Sequence, residues 1–368
     1  MEKKKVMYKL MIALLMFFVT TGALHAGDNV KTKRILKSYP VSPSTYIELD
    51  NKYGDIEVNL WDKDSVKFEI TITVHSDKEE ELNKMLDQVK IDIKATPAFV
   101  IVNTDWSEEV GVFKKGIIKI NQEIVSNTKY TINYKLTLPE KTELSITNKF
   151  GNIFMSNYIG KLSVNLSYGD LRAHKLSNVK ELNAKYGKVK IKELSYGRIN
   201  LQSVKPFDVD KCLELDMESS SSEIEIDQLK NLTLSSSHDE INIGKVNSFT
   251  VSSSMSDISV EDVLTKFYAT SKYGSIKLLN VNASSENITI EATKTEVDVK
   301  IPSDLNANTE LIFSDKSYLS NNSQFFKEGS SEVDANGYQH TKGSINDGGG
   351  TVIFIQNING YIVLEANE

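Results

Sequence analysis

This chain has almost none of the residues that staple a fold from outside its core. One of its 368 residues is cysteine, Cys212, so no intrachain disulfide can form, and with no histidine beside it the thiol reads as buried and inert. The histidines beyond the N-terminal segment, His75, His174, His238 and His340, have no metal-ligand spacing, so no metal site and no cofactor are expected. No calcium-binding nonapeptide occurs, and Gly348-Gly349-Gly350 follows a polar stretch instead of opening a helix, which argues against a phosphate cradle. Long apolar runs are also lacking, with one exception at the N-terminus, so stability has to come from packing. The hydrophobic content of 40% is ordinary for a folded protein.

The exception is Leu10–Val19. Lys3, Lys4, Lys5 and Lys9 precede it and Ala23-Leu24-His25-Ala26 follows, which predicts a secretory signal peptide over residues 1–26. No cysteine ends that segment, which argues against lipid attachment there. Its removal leaves 39 basic and 49 acidic residues, taking the net charge from −7 to −10. An exported chain this acidic is a poor match for nucleic acid or an anionic lipid surface. No transmembrane span is expected once the signal is cleaved.

What the chain has instead is a motif that keeps returning. It reads Asn51-Lys52-Tyr53-Gly54-Asp55-Ile56, then Asn148-Lys149-Phe150-Gly151-Asn152-Ile153, Ser167-Tyr168-Gly169-Asp170-Leu171, Lys185-Tyr186-Gly187-Lys188-Val189 and Lys272-Tyr273-Gly274-Ser275-Ile276. With the glycine as anchor the series runs Gly151, Gly169, Gly187, a blurred copy near Lys205, Ser222, Asp239, Ser256, Gly274 and Thr295, in steps of 17 to 21 residues. Two and four positions after each anchor stand apolar residues, such as Ile224/Ile226, Ile241/Ile243 and Ile258/Val260. Seven and five positions before it stand others, such as Leu162/Val164, Leu232/Leu234 and Phe249/Val251. The tail carries one more copy around Gly360. Alternation of this kind is strand chemistry. Two short strands per 17–18 residues cannot bury their faces alone, and stacking on identical neighbours gives one continuous core. The expected fold is therefore all-β, a parallel β-solenoid (β-helix).

Position three before the anchor (Asn51, Asn148, Ser219, Ser236, Ser253, Ser271, Asn357) points inward by parity, and its small polar residues are placed to stack as hydrogen-bonded ladders. Ile199 and Leu201, near Pro206, sit one place out of register. Between the first two anchors lies a departure of about 97 residues, in which Leu82, Met85, Leu86 and Val89 mark an amphipathic helix over Asp77–Lys90 with Ser76 as N-cap. Strand-like runs follow at Ala98–Val102 and Lys129–Leu138, with a polar connection around Trp106–Lys115 between them. The organisation read from this is a signal peptide (1–26), a linker (27–43), a first coil (44–75), a helix-containing insertion or cap (76–141), solenoid coils (142–301), and a polar loop with a C-terminal coil (302–368).

The stretch Leu49-Asp50-Asn51-Lys52-Tyr53-Gly54-Asp55-Ile56-Glu57-Val58, followed by Trp61-Asp62-Lys63-Asp64-Ser65-Val66, resembles the bacterial putative-adhesin domain family of unknown function. That family is related to the GIN-type head domain of proposed autotransporter adhesins. The resemblance covers the chain from about Ser44 onwards. It implies an exported, right-handed β-solenoid in the envelope of a Gram-negative, Bacteroidetes-like bacterium, at the periplasm or the cell surface. It supplies no catalytic residues.

Parallel β-helices also host carbohydrate-active enzymes, which need clustered carboxylates or a base beside a charge-stabilising cation. Here Asp55, Asp170 and Asp257 recur just after an anchor and Asp239 occupies one, but these are corner positions where such residues fit turns, and no unbroken acidic ladder forms. The aromatics just before the anchors, Tyr53, Phe150, Tyr168, Tyr186 and Tyr273, are the candidate ligand-binding residues, because a stripe of flat faces along one corner suits sugar rings. Stacking on their own coil neighbours accounts for them without a ligand, and is the expected reading. The function expected is a non-catalytic structural or adhesive module, its partner a surface polysaccharide or an envelope protein. A carbohydrate-active β-helix enzyme and a periplasmic sensing or assembly partner are the alternatives.

Overall fold

In the computed structural model the described residues are 29–106, 129–321 and 326–366. The expected signal peptide and most of the polar connection after Trp106 lie outside them. The fold is all-β with a single helix among the described residues, and its strands join in one large mixed sheet. In chain order the first elements are β1 (Asn29–Pro40), β2 (Tyr46–Lys52), β3 (Ile56–Trp61), β4 (Ser65–Ser76), α1 (Glu79–Gln88), β5 (Val89–Ala95), β6 (Phe99–Trp106) and β7 (Tyr130–Pro139). The central elements are β8 (Glu143–Lys149), β9 (Ile153–Ser167), β10 (Leu171–Ser220), β11 (Glu223–Ser237), β12 (Glu240–Leu278) and β13 (Asn287–Ile301). The last are β14 (Ala307–Phe313), β15 (Tyr318–Asn321), β16 (Phe326–Val333), β17 (Gln339–Ile345), β18 (Thr351–Ile358) and β19 (Tyr361–Ala366).

From β8 to β13 the pairing is parallel and keeps the register of the repeat. Leu171 stands opposite Ile153, Phe207 opposite Ile224, Ile224 opposite Ile241, and Ile276 opposite Val297. The 50-residue β10 is not one straight run, since Asn200 donates to Asn183 and Lys190 pairs with Asp208 within it. The chain turns, within a strand or between two, by placing one residue in the left-handed region. Tyr53, Phe150, Tyr168, Tyr186, Ser203, Ser221, His238, Met255, Tyr273 and Lys294 all have φ between 51° and 67°. Each directly precedes an anchor. A non-glycine residue there costs about 1–2 kcal/mol. Each rung buries several apolar side chains worth about 1.5–3 kcal/mol apiece, which outweighs the corner.

The corner at Ser203 relocates the blurred copy. Its anchor is Val204, not Lys205, and Ile199 and Leu201 are then in phase and buried. The extra residue falls at Lys205-Pro206, a cis peptide, after which Phe207 rejoins the register.

The positions two and four after the anchor are buried, except in the Val204 rung, where the extra residue moves them to Phe207 and Val209; those three before the anchor are buried throughout. A further inward column lies seven or eight residues after the anchor: Tyr158, Leu176, Leu194, Cys212, Leu229, Val246, Val263 and Val281. Neighbours in this column also pair in parallel, Leu176 with Tyr158 and Cys212 with Leu229. It is a third buried, parallel-paired stretch of the repeat.

The sheet is partly antiparallel, which amends the expectation of a purely parallel stack, and the antiparallel pairs lie towards its two ends. The first motif copy stacks directly on the second, β2 on β8 and β3 on β9, although the chain between them is long. The insertion returns to the other side of that first rung, β6 on β2 and β7 on β3. Antiparallel strands extend it, β4 on β7, β1 on β4 and β5 on β6. The expected linker over 27–43 is thus mostly β1, an exposed edge strand whose lysines blunt further pairing. The helix begins at Glu79 and not Asp77. Its N-cap residue is Lys78, and Ser76 Oγ accepts from the Lys78 amide at 3.2 Å. Leu82, Met85 and Leu86 are its buried face, packed over β1 and β4.

At the C-terminal end the tail copy, β18 and β19, stacks on β13, and β14 and β15 stack outside it. The expected polar loop instead supplies β15, β16 and β17, with β17 antiparallel to both β14 and β16. No helix among the described residues is long and apolar enough to cross a membrane.

Candidate functional site

The corners concentrate the chain's chemistry. Behind the aromatic corners the anchor is glycine because rungs touch there. A Cβ on Gly151 would meet the carbonyl of Gly54, one on Gly169 that of Gly151, and one on Gly187 that of Gly169. The residue after each anchor ties that contact down. Asp55 Oδ1 accepts from the Asn152 amide (2.8 Å), Asn152 Oδ1 from Asp170 (2.9 Å), and Asp170 Oδ1 from Lys188 (3.0 Å). Asp257 Oδ1 accepts from Ser275 Oγ at 2.7 Å. These corner carboxylates are occupied by the next rung, so their recurrence has a structural cause.

Inside the corner the polar residues join, although not as the simple ladder the spacing suggests. Asn51 Nδ2 donates to Asn148 Oδ1 at 3.2 Å, but the serines bond mainly to anchors. Asp239, buried, accepts from Ser219 Oγ (3.1 Å), Ser236 Oγ (2.6 Å) and the amides of Ser222 (2.7 Å) and Ser237 (3.1 Å). Four donors around one carboxylate offset the cost of burying it.

Outside, four of the five aromatic candidates come together. The ring centroids of Tyr53 and Phe150 are 5.4 Å apart, those of Phe150 and Tyr168 5.1 Å, and those of Tyr168 and Tyr186 4.9 Å, all face to face. Lys52 lies over Tyr53 (4.7 Å) and Lys149 over Phe150 (5.1 Å), adding cation–π attraction at the solvent edge. Tyr273 is not part of this stack. It shares the same corner line, beyond Ser203, Ser221, His238 and Met255, with Lys272 and Lys294 over its ring.

This geometry changes what the stripe can bind. The faces of Phe150 and Tyr168 are covered on both sides by neighbouring rings, so their edges meet solvent. Tyr186 ends the series among the described residues, and the residue that follows it, Gly187, lines a groove with Asp170, Lys188, Ser203, Lys205 and Ser221. Lys188 and Lys205 were not singled out by the sequence reading. The signal was there, because they occupy the positions just after Gly187 and Val204, where other rungs carry Asp, Asn, Glu or, at Ser275, Ser.

The other polar candidates stay apart. His174 bonds to Asn157 (2.7 Å), His238 to Ser237 (2.9 Å) and His340 to Asp334 (3.3 Å). Among the described residues no three His, Cys, Asp or Glu side chains gather as a metal site would require. Cys212 is a core filler, and burial pushes its thiol up to about 12, far from a reactive thiolate.

No protein-family model and no curated protein matches the chain. Among solved structures it is similar to a putative cell adhesion protein from Clostridium sporogenes, at 10% identity over 92% of this chain and 100% of that one, with a TM-score of 0.19. It is also similar to a putative adhesin from Bacteroides fragilis (15% identity, 73% and 97% coverage, TM-score 0.32). A third is a putative lipid binding protein from Parabacteroides distasonis (14%, 74% and 96%, TM-score 0.32). Likeness at such scores transfers neither fold detail nor function.

Proposed function

We propose that this protein is an exported, non-catalytic adhesive module of the bacterial envelope. Its parallel rungs wind as a right-handed β-solenoid, and it engages an extended glycan along its corner. The observation that carries the reading is the exposed aromatic and lysine corner, repeated in step with the rungs so that one surface motif recurs about every 4.8 Å. A repetitive surface of this kind matches a repetitive ligand. The carboxylates that an enzymatic reading needs, Asp55, Asp170, Asp239 and Asp257, are each held by hydrogen bonds within or between rungs. The antiparallel strands towards each end act as caps that keep rung edges from pairing with other chains. Export rests on the basic and apolar N-terminal segment. The test is affinity electrophoresis of the mature chain through gels loaded with soluble polysaccharides, acidic and neutral, followed by assay of those glycans for new reducing ends and unsaturated products. Retardation without cleavage is expected. Free migration through every gel, or cleavage of any glycan, overturns the reading.

A further inference from the structure

We infer that the groove beside Tyr186 is the point of glycan contact, and that it takes an acidic pyranose, one bearing a carboxylate or sulfate, as the next ring of the aromatic stack. The inference rests on the glycan-binding reading above and names the ligand class and the residues.

Three observations converge. Rings repeat at 4.9–5.4 Å from Tyr53 to Tyr186 and then stop, because the next corner residue is Ser203 and the one after it Ser221. Among the described residues the stack thus ends on an exposed ring with no aromatic beyond it, and a trough lined in part by the small residues Gly187, Ser203 and Ser221 begins at the next residue. A flat apolar ring face is what the C–H face of a pyranose packs against. The trough is also cationic. Lys188 and Lys205 line it, both exposed, and neither ammonium has a carboxylate partner among the described residues. Asp170 lines it too, but its Oδ1 accepts from the Lys188 amide and its Oδ2 lies 3.9 Å from Arg172 Nη2, so its charge is already opposed. Farther along the same column Glu223 restores negative charge, which confines the basic site to two rungs. The chain as a whole is acidic, yet charges more than about 10 Å away are largely screened at 0.1 M salt. The two lysines therefore dominate locally.

The other four candidates do not offer this combination. Phe150 and Tyr168 each lie between two rings, and Lys52 lies over the ring of Tyr53. Tyr273 has lysines over its ring but no second aromatic to extend.

The test uses the mature chain and four probes: polygalacturonate, its fully methyl-esterified form, dextran sulfate and neutral dextran. Binding to polygalacturonate, dextran sulfate or both is expected, at least about tenfold tighter than to the uncharged forms and weakening as salt is raised. The two acidic probes distinguish carboxylate from sulfate. Tyr186→Asn, which removes the ring but suits a left-handed corner, and the double change Lys188→Ala with Lys205→Ala should each weaken binding about tenfold. Ser203→Tyr should extend the stack into the groove and block it while leaving the melting temperature near wild type. Tyr186→Phe and Tyr273→Ala should change little. Equal affinity for polygalacturonate and its ester, or affinity unmoved by the Tyr186, Lys188/Lys205 and Ser203 changes, overturns the inference and leaves the broader glycan-binding reading standing. No binding to any of the four probes, with retardation by other glycans, likewise sinks only the acidic site. No binding to any glycan sinks both.

Discussion

Replacing Asp239 by alanine should be among the most destabilising single changes in the molecule, although its neighbour one rung on, Asp257, tolerates the same change. Both are corner aspartates of the same repeat. Asp239 sits at an anchor with its carboxylate turned inward and accepts four hydrogen bonds, two from serine hydroxyls and two from backbone amides. The hydroxyl of Ser236 has a second partner in Ser256 Oγ at 2.8 Å and can turn to it. The amides of Ser222 and Ser237 cannot turn. A buried donor left unsatisfied costs about 1–3 kcal/mol, so the two amides set a loss of roughly 2–6 kcal/mol before any cavity is counted. Asp239→Asn keeps one acceptor oxygen and should fall in between. Asp257 is exposed and loses one bond to Ser275 Oγ, for less than about 1 kcal/mol. Urea unfolding followed by far-UV circular dichroism compares the three variants with wild type. A midpoint for Asp239→Ala indistinguishable from that of Asp257→Ala would refute the inward placement of the carboxylate.

Ile241→Asp should also unfold the chain at lower temperature, because it places an unpaired charge between the rungs that carry Ile224 and Ile258; a differential scanning calorimetry trace matching wild type would contradict the shared core. Gly169→Ala should cost stability through contact with the Gly151 carbonyl, whereas alanine at Gly337, which has nothing within 4 Å but a φ of +82°, should cost only the backbone strain of a left-handed residue; the two melting temperatures separate these cases. Burial raises the carboxyl pKa of Asp298, so its ionised form weakens the fold above that pKa and the penalty disappears as pH falls below the unfolded value of 3.8. Asp298→Asn should therefore raise the melting temperature at pH 7 and lose that advantage in acid; an advantage independent of pH would point to packing instead.

The columns two and four residues after the anchor were legible in the sequence because they alternate within a fixed period, and they alone fix the rung length. The third buried stretch was not. Leu176, Leu194, Leu229 and Val246 each stand alone between polar residues, so neither alternation nor helical spacing marks them. The rung at Pro206 was misphased for a related reason. With no glycine to mark its corner, the anchor was placed at Lys205 by interpolation, while the backbone turns at Ser203 and absorbs the extra residue afterwards. β1 escaped notice because an edge strand exposed on both faces has no hydrophobic pattern to read. β15 to β17 were hidden by glycines and polar residues that read as loop, though β15 pairs with β19, β17 with β14, and β16 in turn with β17.

The aromatic candidates were found for the right spacing and an incomplete physical reason. A stripe of flat faces suited sugars and stacking between coil neighbours explained it without a ligand; stacking at about 5 Å turns the faces of Phe150 and Tyr168 on their neighbours, so a flat ligand has to meet the stack at an end. Where the stack ends follows from how the inside of each corner is filled. At Gly54, Gly151, Gly169 and Gly187 the anchor has no side chain, and an aromatic ring covers the corner from outside. From Ser222 through Ser256 the anchor puts a hydroxyl or carboxylate into the corner, Ser222 accepting from the Val204 amide, Asp239 from Ser219 and Ser236, and Ser256 bonding to Ser236, and the outer residue becomes Ser221, His238 or Met255. Val204 is the rung where one scheme gives way to the other. The groove beside Tyr186 lies at that junction, so the same substitution of anchor side chains that builds the buried polar network also exposes the last ring of the stack.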